Sequence, residues 1–255
     1  MGHLVMQNTI FITGAAQRIG LALAQHLQQQ GFRLIISYRT PHPAVAELTA
    51  AGVCCIQAEL TCLHSLANLI EQIRAHTPTL RAVIHNASAW QKDRAVAAQG
   101  PLLTQLQQDA AVFAAMSDVH TRAAYLLNRA LLPLLQAQGA QGCPADIIHL
   151  TDFVASVGSE KHQAYAAARA ATENLTLSLA RQLAPSIKVN AIAPALLMFN
   201  AQDDAAYRQQ ALSKSLLQKE PGAAEVLAAV DYLLQSQYVT GRVMALDGGR
   251  HLRLP

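Results

Sequence analysis

Charged residues are scarce in this sequence, at 14% of 255 residues, and no run of one sign stands out. The 19 basic and 16 acidic side chains give a formal charge of +3 and are scattered along the chain. A protein that follows a nucleic-acid backbone needs a basic patch or stripe, so we expect no nucleic-acid partner. A hydrophobic fraction of 52% excludes a disordered chain and favours a globular domain.

Cysteine is also rare, and its positions exclude two kinds of site. Cys54, Cys55, Cys62 and Cys143 show neither CxxC spacing nor histidine neighbours at zinc-site intervals. We therefore expect reduced thiols, no disulfide framework and no metal site. Apolar runs fall well short of about 20 residues, and the first residues lack the charged segment and apolar core of a signal peptide. These absences predict a cytoplasmic protein with no membrane partner.

Short apolar runs alternate along the chain with segments of helical periodicity. The runs cover residues 9–13, 33–38, 53–58, 81–86, 146–151 and 187–194. The helical segments cover 19–31, 44–51, 63–75, 116–138 and 162–185, with Gly31, Gly52 and Pro185 at helix ends. Strands that alternate with helices pair in parallel. The sequence therefore predicts one α/β domain over residues 1–255, a single-domain Rossmann fold whose doubly wound parallel sheet has about seven strands and helices on both faces.

The alternation loosens at residues 195–222, directly after the last apolar run. Ligands of open α/β sheets bind beyond the carboxyl ends of the strands, and long connections there are often functional. We expect a substrate lid at 195–222 within the domain. An exposed helical connection without a role is the alternative.

Two glycines mark the turn after the first predicted strand, where Thr13 precedes Gly14 and Gly20 follows six residues later. Glycine lets the backbone approach a pyrophosphate, and the N-terminus of the next helix offers free N–H groups. This turn, with a strand before it and an apolar helix after it, predicts a dinucleotide site.

The end of the second predicted strand carries Ser37, Tyr38, Arg39 and Thr40, and it lacks the acidic residue that holds the ribose of NAD. A guanidinium binds a phosphate bidentately, so Arg39, assisted by Arg18, is expected to bind a 2′-phosphate. The cofactor predicted here is NADPH. A solvated loop charge is the alternative role for Arg39.

These motifs occur together with others that span nearly the whole chain. They include Thr13-Gly14 with Gly20, Asn86-Ala87-Ser88, Tyr165 followed four positions later by a basic residue, Pro194, and Thr240-Gly241 with Asp247-Gly248-Gly249. In this pattern the sequence resembles the short-chain dehydrogenases/reductases. Arg18 in place of a middle glycine, the NASAW run at 86–90, Thr151-Asp152 and the GGRHL run at 248–252 resemble the pteridine reductase branch.

The resemblance implies an NADPH-dependent oxidoreductase whose substrate is a dihydropterin. Its implied cofactor contacts are Gly14, Arg18, Ile19, Gly20, Ser37, Tyr38, Arg39, Thr40, Glu59, Leu60, Asn86, Ala87, Ser88, Thr151, Tyr165, Arg169, Pro194 and Leu196. Its implied substrate contacts are Ser88, Trp90, Asp152 and Tyr165. It also implies a homo-oligomer, often a tetramer, with subunit contacts from helices around 110–137 and 162–184.

The catalytic set that the resemblance implies is Tyr165 as proton donor, Asp152 beside it and the cation of Arg169. Asp152 stands where most of the family has serine, and a carboxyl group can accept hydrogen bonds from ring N–H groups or help protonate a ring nitrogen. Trp90 is expected to stack on a flat pterin above the nicotinamide. The expected reaction is hydride transfer to C6 of a 7,8-dihydropterin with protonation at N5. Dihydromonapterin is the expected substrate, and dihydrofolate a slower one.

Arg169 departs from the lysine of the family pattern. Residues four apart share a helix face, so the guanidinium is expected beside the Tyr165 phenol. A guanidinium does not readily lose a proton, which would impair a lysine-type proton relay. His120 stands where the wider family often has asparagine, and a helix-face histidine without a proton role is its alternative reading. Two alternative functions follow: a carbonyl or quinone reductase, and a non-catalytic NADPH-binding protein.

Overall fold

Seven parallel strands form one sheet within the described chain. The computed structural model describes residues 8–95 and 100–253. The strands are β1 (Thr9–Ile12), β2 (Arg33–Tyr38), β3 (Cys54–Gln57), β4 (Ala82–His85), β5 (Ala145–Leu150), β6 (Ile187–Pro194) and β7 (Val243–Leu246). They lie in the order β3-β2-β1-β4-β5-β6-β7, and each pairs in parallel with its neighbours. The predicted parallel Rossmann sheet is confirmed.

Helices follow most of the strands. They are α1 (Arg18–Gln29), α2 (Pro43–Ala50), α3 (Leu63–His76), α4 (Leu102–Ser117), α5 (Ala123–Gly139), α6 (Val154–Val157), α7 (Gln163–Leu183), α8 (Ala205–Leu212) and α9 (Ala224–Gln235). A π-helical turn at Asp118–Arg122 joins α4 to α5, and a 3₁₀ turn at Arg250–Leu252 follows β7. No helix in the described ranges is long and apolar enough to cross a membrane.

Side chains at alternate strand positions give the sheet two buried faces. Ile10 and Ile12 of β1 belong to a core cluster that includes residues of α1, α2 and α9. Phe11, between them, belongs to a second cluster with residues of α3, α5 and α7. The chain is therefore wound on both faces of the sheet, as its apolar runs predict.

The helix predicted at 116–138 is longer than expected and is interrupted. It begins at Leu102 in α4, widens into the π turn, and continues through α5 to Gly139. A π turn adds one residue to a turn without a composition of its own, so periodicity does not reveal it.

Two histidines lie side by side in the sheet beneath its carboxyl edge. His85 of β4 pairs in register with His149 of β5, and their rings stack at 5.0 Å. Asn128 of α5 bridges them, accepting from His85 Nε2 at 2.6 Å and donating to His149 Nε2 at 3.1 Å. Burial lowers the pKa of His85 to about 4 and that of His149 well below its ordinary value. Both rings therefore remain neutral in the folded protein.

Acid should destabilise the fold through these rings. Below about pH 6.5 the His85 side chain is protonated in the unfolded chain but stays neutral in the folded protein. The free energy of unfolding therefore falls with pH until the folded protein also binds the proton, at about pH 4. At about pH 5 the loss from His85 alone is about 2 kcal/mol. Urea unfolding at a series of pH values measures it. His85→Gln should flatten the pH slope, whereas His64→Gln, at an exposed position, should leave it unchanged. Equal slopes in the two variants would contradict the assignment.

Candidate active site

The turns after β1 and β4 are hydrogen-bonded to each other at the centre of the sheet edge. Thr13 Oγ1 accepts from the backbone N–H groups of Asn86 and Ala87, both at 3.0 Å, and Asn86 Nδ2 donates to the carbonyl of Gly14 at 2.8 Å. A Cβ at Gly14, whose φ is +66°, would lie 2.7 Å from Ala87 Cα, and one at Gly20 would lie 2.5 Å from Asn86 Nδ2. Both glycines are therefore required by the close packing of the two turns. Without a side chain at Gly14 and Gly20, the backbone can also be approached by a ligand.

A cleft of about 320 Å³ runs from this point across the ends of β1 to β4. Nine predicted cofactor residues line it: Gly14, Ser37, Tyr38, Arg39, Thr40, Glu59, Leu60, Ala87 and Ser88. Six further lining residues were missed: Ala16, Gln17, Pro41, His42, Ala58 and Val119. Ala16 and Gln17 belong to the glycine turn and were identifiable from the motif. Val119 lies on the π turn, and no pattern in the sequence marks it.

The cleft has a basic corner at the end of β2. Arg39 is exposed there, and its guanidinium has no hydrogen-bond or ion-pair partner in the described part of the chain. Glu59 is the acidic residue of the cleft lining, but its Oε1 accepts from Thr61 N at 3.1 Å and from Thr61 Oγ1 at 2.9 Å. The Glu59 carboxylate is thus held by its own turn, and Arg39 is available to an anion.

The Arg18 side chain is hydrogen-bonded to the segment predicted as a lid. Its guanidinium donates to Asn200 Oδ1 at 2.7 Å and to the Met198 carbonyl at 3.2 Å, both in the segment after β6. The expected contribution of Arg18, together with Arg39, to binding a 2′-phosphate stays a prediction. Its φ of +51° costs a non-glycine residue about 1 kcal/mol. The position favours glycine, and the two long-range hydrogen bonds offset the strain of having arginine there.

Tyr165 and Asp152 form a hydrogen-bonded pair where β5 ends and α7 begins. The Tyr165 hydroxyl donates to Asp152 Oδ2 at 2.9 Å, and Asp152 Oδ1 accepts from the N–H of Val154 at 3.0 Å. Burial raises the pKa of Tyr165, with the Arg169 cation opposing the rise and the Asp152 carboxyl adding to it. Burial also raises the pKa of Asp152. The phenol is therefore protonated at neutral pH and poised to donate.

The Arg169 guanidinium is buried against the Tyr165 ring, with its carbon 5.1 Å from the ring centroid. It donates from Nη1 to the Leu150 carbonyl at 2.7 Å and from Nη2 to Ser88 Oγ at 2.8 Å. The cation thus lies beside the phenol, where the four-residue spacing predicts it. Two of its donors are committed to the protein, so the guanidinium acts as a fixed charge.

Arg169, Ser88 and His120 form a chain of hydrogen bonds in which each group donates to the next. His120 lies 2.7 Å from the Met116 carbonyl through Nδ1, so that nitrogen carries the proton and Nε2 is an acceptor. Ser88 Oγ, 3.1 Å from His120 Nε2, donates to it while accepting from Arg169. Burial and the Arg169 charge lower the pKa of His120 to about 3, which keeps the ring neutral. His120 therefore orients Ser88, and Ser88 orients Arg169.

Trp90 is at the surface beside the pair. Its side chain is 67% exposed, and its ring lies 4.2 Å from the His162 ring at 30°. His162 was not among the predicted site residues, although it precedes Tyr165 by three positions. An exposed indole backed by a second ring offers a flat apolar surface to a ligand.

Four further predicted cofactor residues do not line the cleft. Thr151 is buried and donates to Glu173 Oε1 at 2.9 Å, and the Pro194 carbonyl accepts from Phe153 N at 2.9 Å. Ile19 packs against a core cluster. Leu196 lines a separate cavity of about 230 Å³ beside the expected lid.

A tyrosine–carboxyl pair beside a cleft at parallel strand ends defines a nucleotide-dependent oxidoreductase site. A family profile described as enoyl-(acyl carrier protein) reductase matches residues 14–251. The chain belongs to the short-chain dehydrogenase/reductase family.

Known relatives are similar along nearly the whole chain. Dihydromonapterin reductase from Citrobacter koseri is 52% identical over 244 residues, covering 96% of this chain and 97% of the relative. The Klebsiella pneumoniae subsp. pneumoniae enzyme of that name is 50% identical with the same coverage. Among solved structures, FolM alternative dihydrofolate reductase 1 from Brucella suis in complex with NADP superposes with a TM-score of 0.83 at 25% identity, covering 99% of this chain and 98% of that one.

Arg169→Lys should weaken the protein, because one ammonium on a slimmer side chain cannot reproduce the planar fork between Leu150 and Ser88. We expect the free energy of unfolding to fall by about 1–3 kcal/mol, as for a buried acceptor left unpaired. Arg129→Lys is the matched control, since Arg129 lies over Tyr125 at the same spacing but is exposed. It should change stability by less than about 0.5 kcal/mol. If Arg169→Lys left the free energy of unfolding unchanged or raised it, the two guanidinium hydrogen bonds would not be stabilising the fold.

Proposed function

We propose that this protein is an NADPH-dependent reductase that converts 7,8-dihydropterins to tetrahydropterins, with dihydromonapterin as the principal substrate. The observation that carries the proposal is the Asp152 carboxyl, 2.9 Å from the hydroxyl of Tyr165. A ketone needs one proton donor, whereas a pterin ring also presents N–H and amino groups that a carboxylate can accept. The dihydromonapterin reductases that resemble this chain support the same substrate class.

The cleft across β1 to β4 fits the cofactor. The backbone at Gly14 and the turn that follows would hold its pyrophosphate, and Arg39 would bind the 2′-phosphate of the adenosine ribose. The Arg39 guanidinium is available to a phosphate, and the Glu59 carboxyl is hydrogen-bonded to Thr61. Both features favour the phosphorylated cofactor over NADH. When bound, NADPH supplies the hydride. The related FolM structure in complex with NADP supports this choice.

Arg39→Asp should reverse the cofactor preference. A carboxylate at this position repels the 2′-phosphate and can accept from a ribose hydroxyl, so the ratio of kcat/KM for NADPH to that for NADH should fall by about 100-fold. Arg242→Asp makes the same charge change at an exposed position near the start of β7 and should leave the ratio unaltered. Steady-state kinetics with both cofactors measures it. If the NADPH-to-NADH ratio of kcat/KM is the same in Arg39→Asp as in the wild-type protein, Arg39 does not bind the 2′-phosphate.

The protein side of the reaction is proton delivery. Tyr165 holds its proton because burial raises its pKa, and the buried guanidinium of Arg169 favours the tyrosinate that forms after transfer. Asp152, whose pKa is raised as well, can accept from the pterin or return a proton to Tyr165. Its carboxyl remains protonated to higher pH than an exposed aspartate. The pair would deliver the proton to N5, directly or through water.

Trp90 would stack on the pterin ring of the substrate. Its ring is exposed and already packs on His162, so a flat bicyclic ring can approach it without displacing the core. Segment 195–222 would cover the substrate from the other side. The hydrogen bonds from Arg18 to Met198 and Asn200 tie that segment to the glycine turn.

Self-association and a cytoplasmic location complete the proposal. Phe113 of α4, Tyr125 of α5 and Leu177 of α7 are large apolar side chains left exposed on helices expected to supply subunit contacts, and such faces favour a symmetric oligomer. The four free cysteines suit a reducing compartment.

NADPH oxidation with a panel of dihydropterins tests the function directly. We expect turnover of dihydromonapterin, and Asp152→Ser should lower kcat by about 100-fold, because positioned proton transfer contributes at least that much. NADPH affinity should not change. Asp109→Ser, at an exposed position on α4, is the control and should keep wild-type rates. Lack of turnover with every dihydropterin would refute the proposal, as would ketone or quinone reduction that is insensitive to Asp152→Ser.

A further inference from the structure

A third cavity opens where the segment after β7 meets the residues that follow Asp152. Its volume is about 450 Å³, and its lining includes Phe153, Val157, Lys214, Arg250, His251 and Arg253. Phe153 follows Asp152 in the chain, and the charge of Arg250 acts on Asp152 to lower its pKa against the effect of burial. The Arg250 guanidinium also lies 5.1 Å from the centre of the Phe153 ring. We call this cavity the tail pocket.

The tail pocket is held together by contacts between the expected lid and the segment after β7. The N–H of Leu217 donates to the Gly248 carbonyl, and Arg253 Nη1 donates to the Ser215 carbonyl, both at 3.1 Å. Gly249 has a φ of +77°, and a Cβ there would lie 3.0 Å from Leu216 Cδ1. The glycine therefore lets the last segment pass close to the lid, which brings the basic residues of both segments to one cavity.

The tail pocket is strongly cationic. Lys214, Arg250 and Arg253 carry full positive charges, and no acidic residue is among the lining residues described. The Lys214 ammonium group has no hydrogen-bond or ion-pair partner within residues 8–95 and 100–253, and Arg253 donates to a neutral carbonyl. His251 is paired with Asp247 through Nδ1 at 2.6 Å. Three positive charges in one open cavity thus lack a lining carboxylate to neutralise them, which favours an anion.

We propose that the tail pocket binds the anionic group of those dihydropterins whose C6 side chain ends in one, as a second kind of substrate beside dihydromonapterin with its neutral side chain. The proposal rests on the proposed function, because it treats the tail pocket as an extension of a dihydropterin site. Two kinds of side chain share the required chemistry: a phosphate ester and the carboxylates of a glutamyl group. Both accept charge-assisted hydrogen bonds from guanidinium and ammonium donors. A neutral polyol side chain, such as that of dihydromonapterin, makes no charge-assisted bond to these cations, so its binding should not depend on them.

Three dihydropterins that differ in the charge of the side chain test this proposal: one with a neutral polyol, one with a phosphate ester and dihydrofolate with its glutamyl carboxylates. Each is assayed with the wild-type protein and with Lys214→Gln, Arg253→Gln and the double variant. Arg181→Gln, at an exposed position near the end of α7, matches the change in net charge of each single variant. KM and kcat are determined separately, at low and at high salt.

We expect the double variant to raise KM for the anionic substrates by about 10-fold with kcat nearly constant, as for an interaction made equally in ground and transition states. The effect should shrink at high salt, where exposed charges are screened. KM for the neutral substrate and all constants of Arg181→Gln should change by less than about twofold. The phosphate and glutamyl arms show which anion the tail pocket prefers.

Three outcomes would overturn the inference. If KM rises equally for neutral and anionic substrates, Lys214 and Arg253 support the shape of the site but do not recognise the charge of the substrate. If KM changes for none of them, the tail pocket is not used. In both cases dihydropterin turnover persists and the proposed function stands. Failure of all three dihydropterins to turn over would instead remove both proposals together.

Discussion

The buried guanidinium of Arg169 is the group on which the rest of the active site depends. It joins the end of β5 through the Leu150 carbonyl, the turn after β4 through Ser88, and α7 through the face of the Tyr165 ring. A buried cation is costly unless its donors are paired. Here a backbone carbonyl and a hydroxyl accept from Nη1 and Nη2, while Nε has no partner among the described residues. The position of the tyrosine and its electrostatic environment therefore come from one side chain, and loss of the lysine pattern is compatible with an ordered site.

Much of the fold was predictable because its signals are local. The continuous apolar run at 9–13 predicted a strand of a sheet covered on both faces, and Ile10 and Ile12 do lie in one core cluster and Phe11 in the other. Close packing explains why Gly14 and Gly20 mark the turn. Six strands were located from their apolar runs. A sheet of about seven strands was expected, but the seventh strand was not located, because β7 has just four residues and none of them is fully buried. Short, half-exposed strands leave little periodicity to read.

The parts of the site that escaped sequence reasoning depend on contacts between distant residues. Arg18 was assigned to the 2′-phosphate from its place in the glycine turn, yet its partners lie about 180 residues away in the chain. The role of His120 depends on which ring nitrogen carries the proton, and that is set by the carbonyl of Met116. Neither partner is marked by residue type or spacing. The resemblance named the residues, and the structure supplied the direction of each hydrogen bond between them.

The π turn at Asp118–Arg122 makes the exact length of the α4–α5 helix part of the active site. A regular α-helix advances about 100° per residue, so removing one residue from this turn would rotate everything on one side of it by that angle. His120 would then leave Ser88, while the buried leucines of α5 kept their places. Selection on this helix therefore acts on residue number as well as on residue type. Insertions and deletions here should be tolerated far less than substitutions on its exposed face.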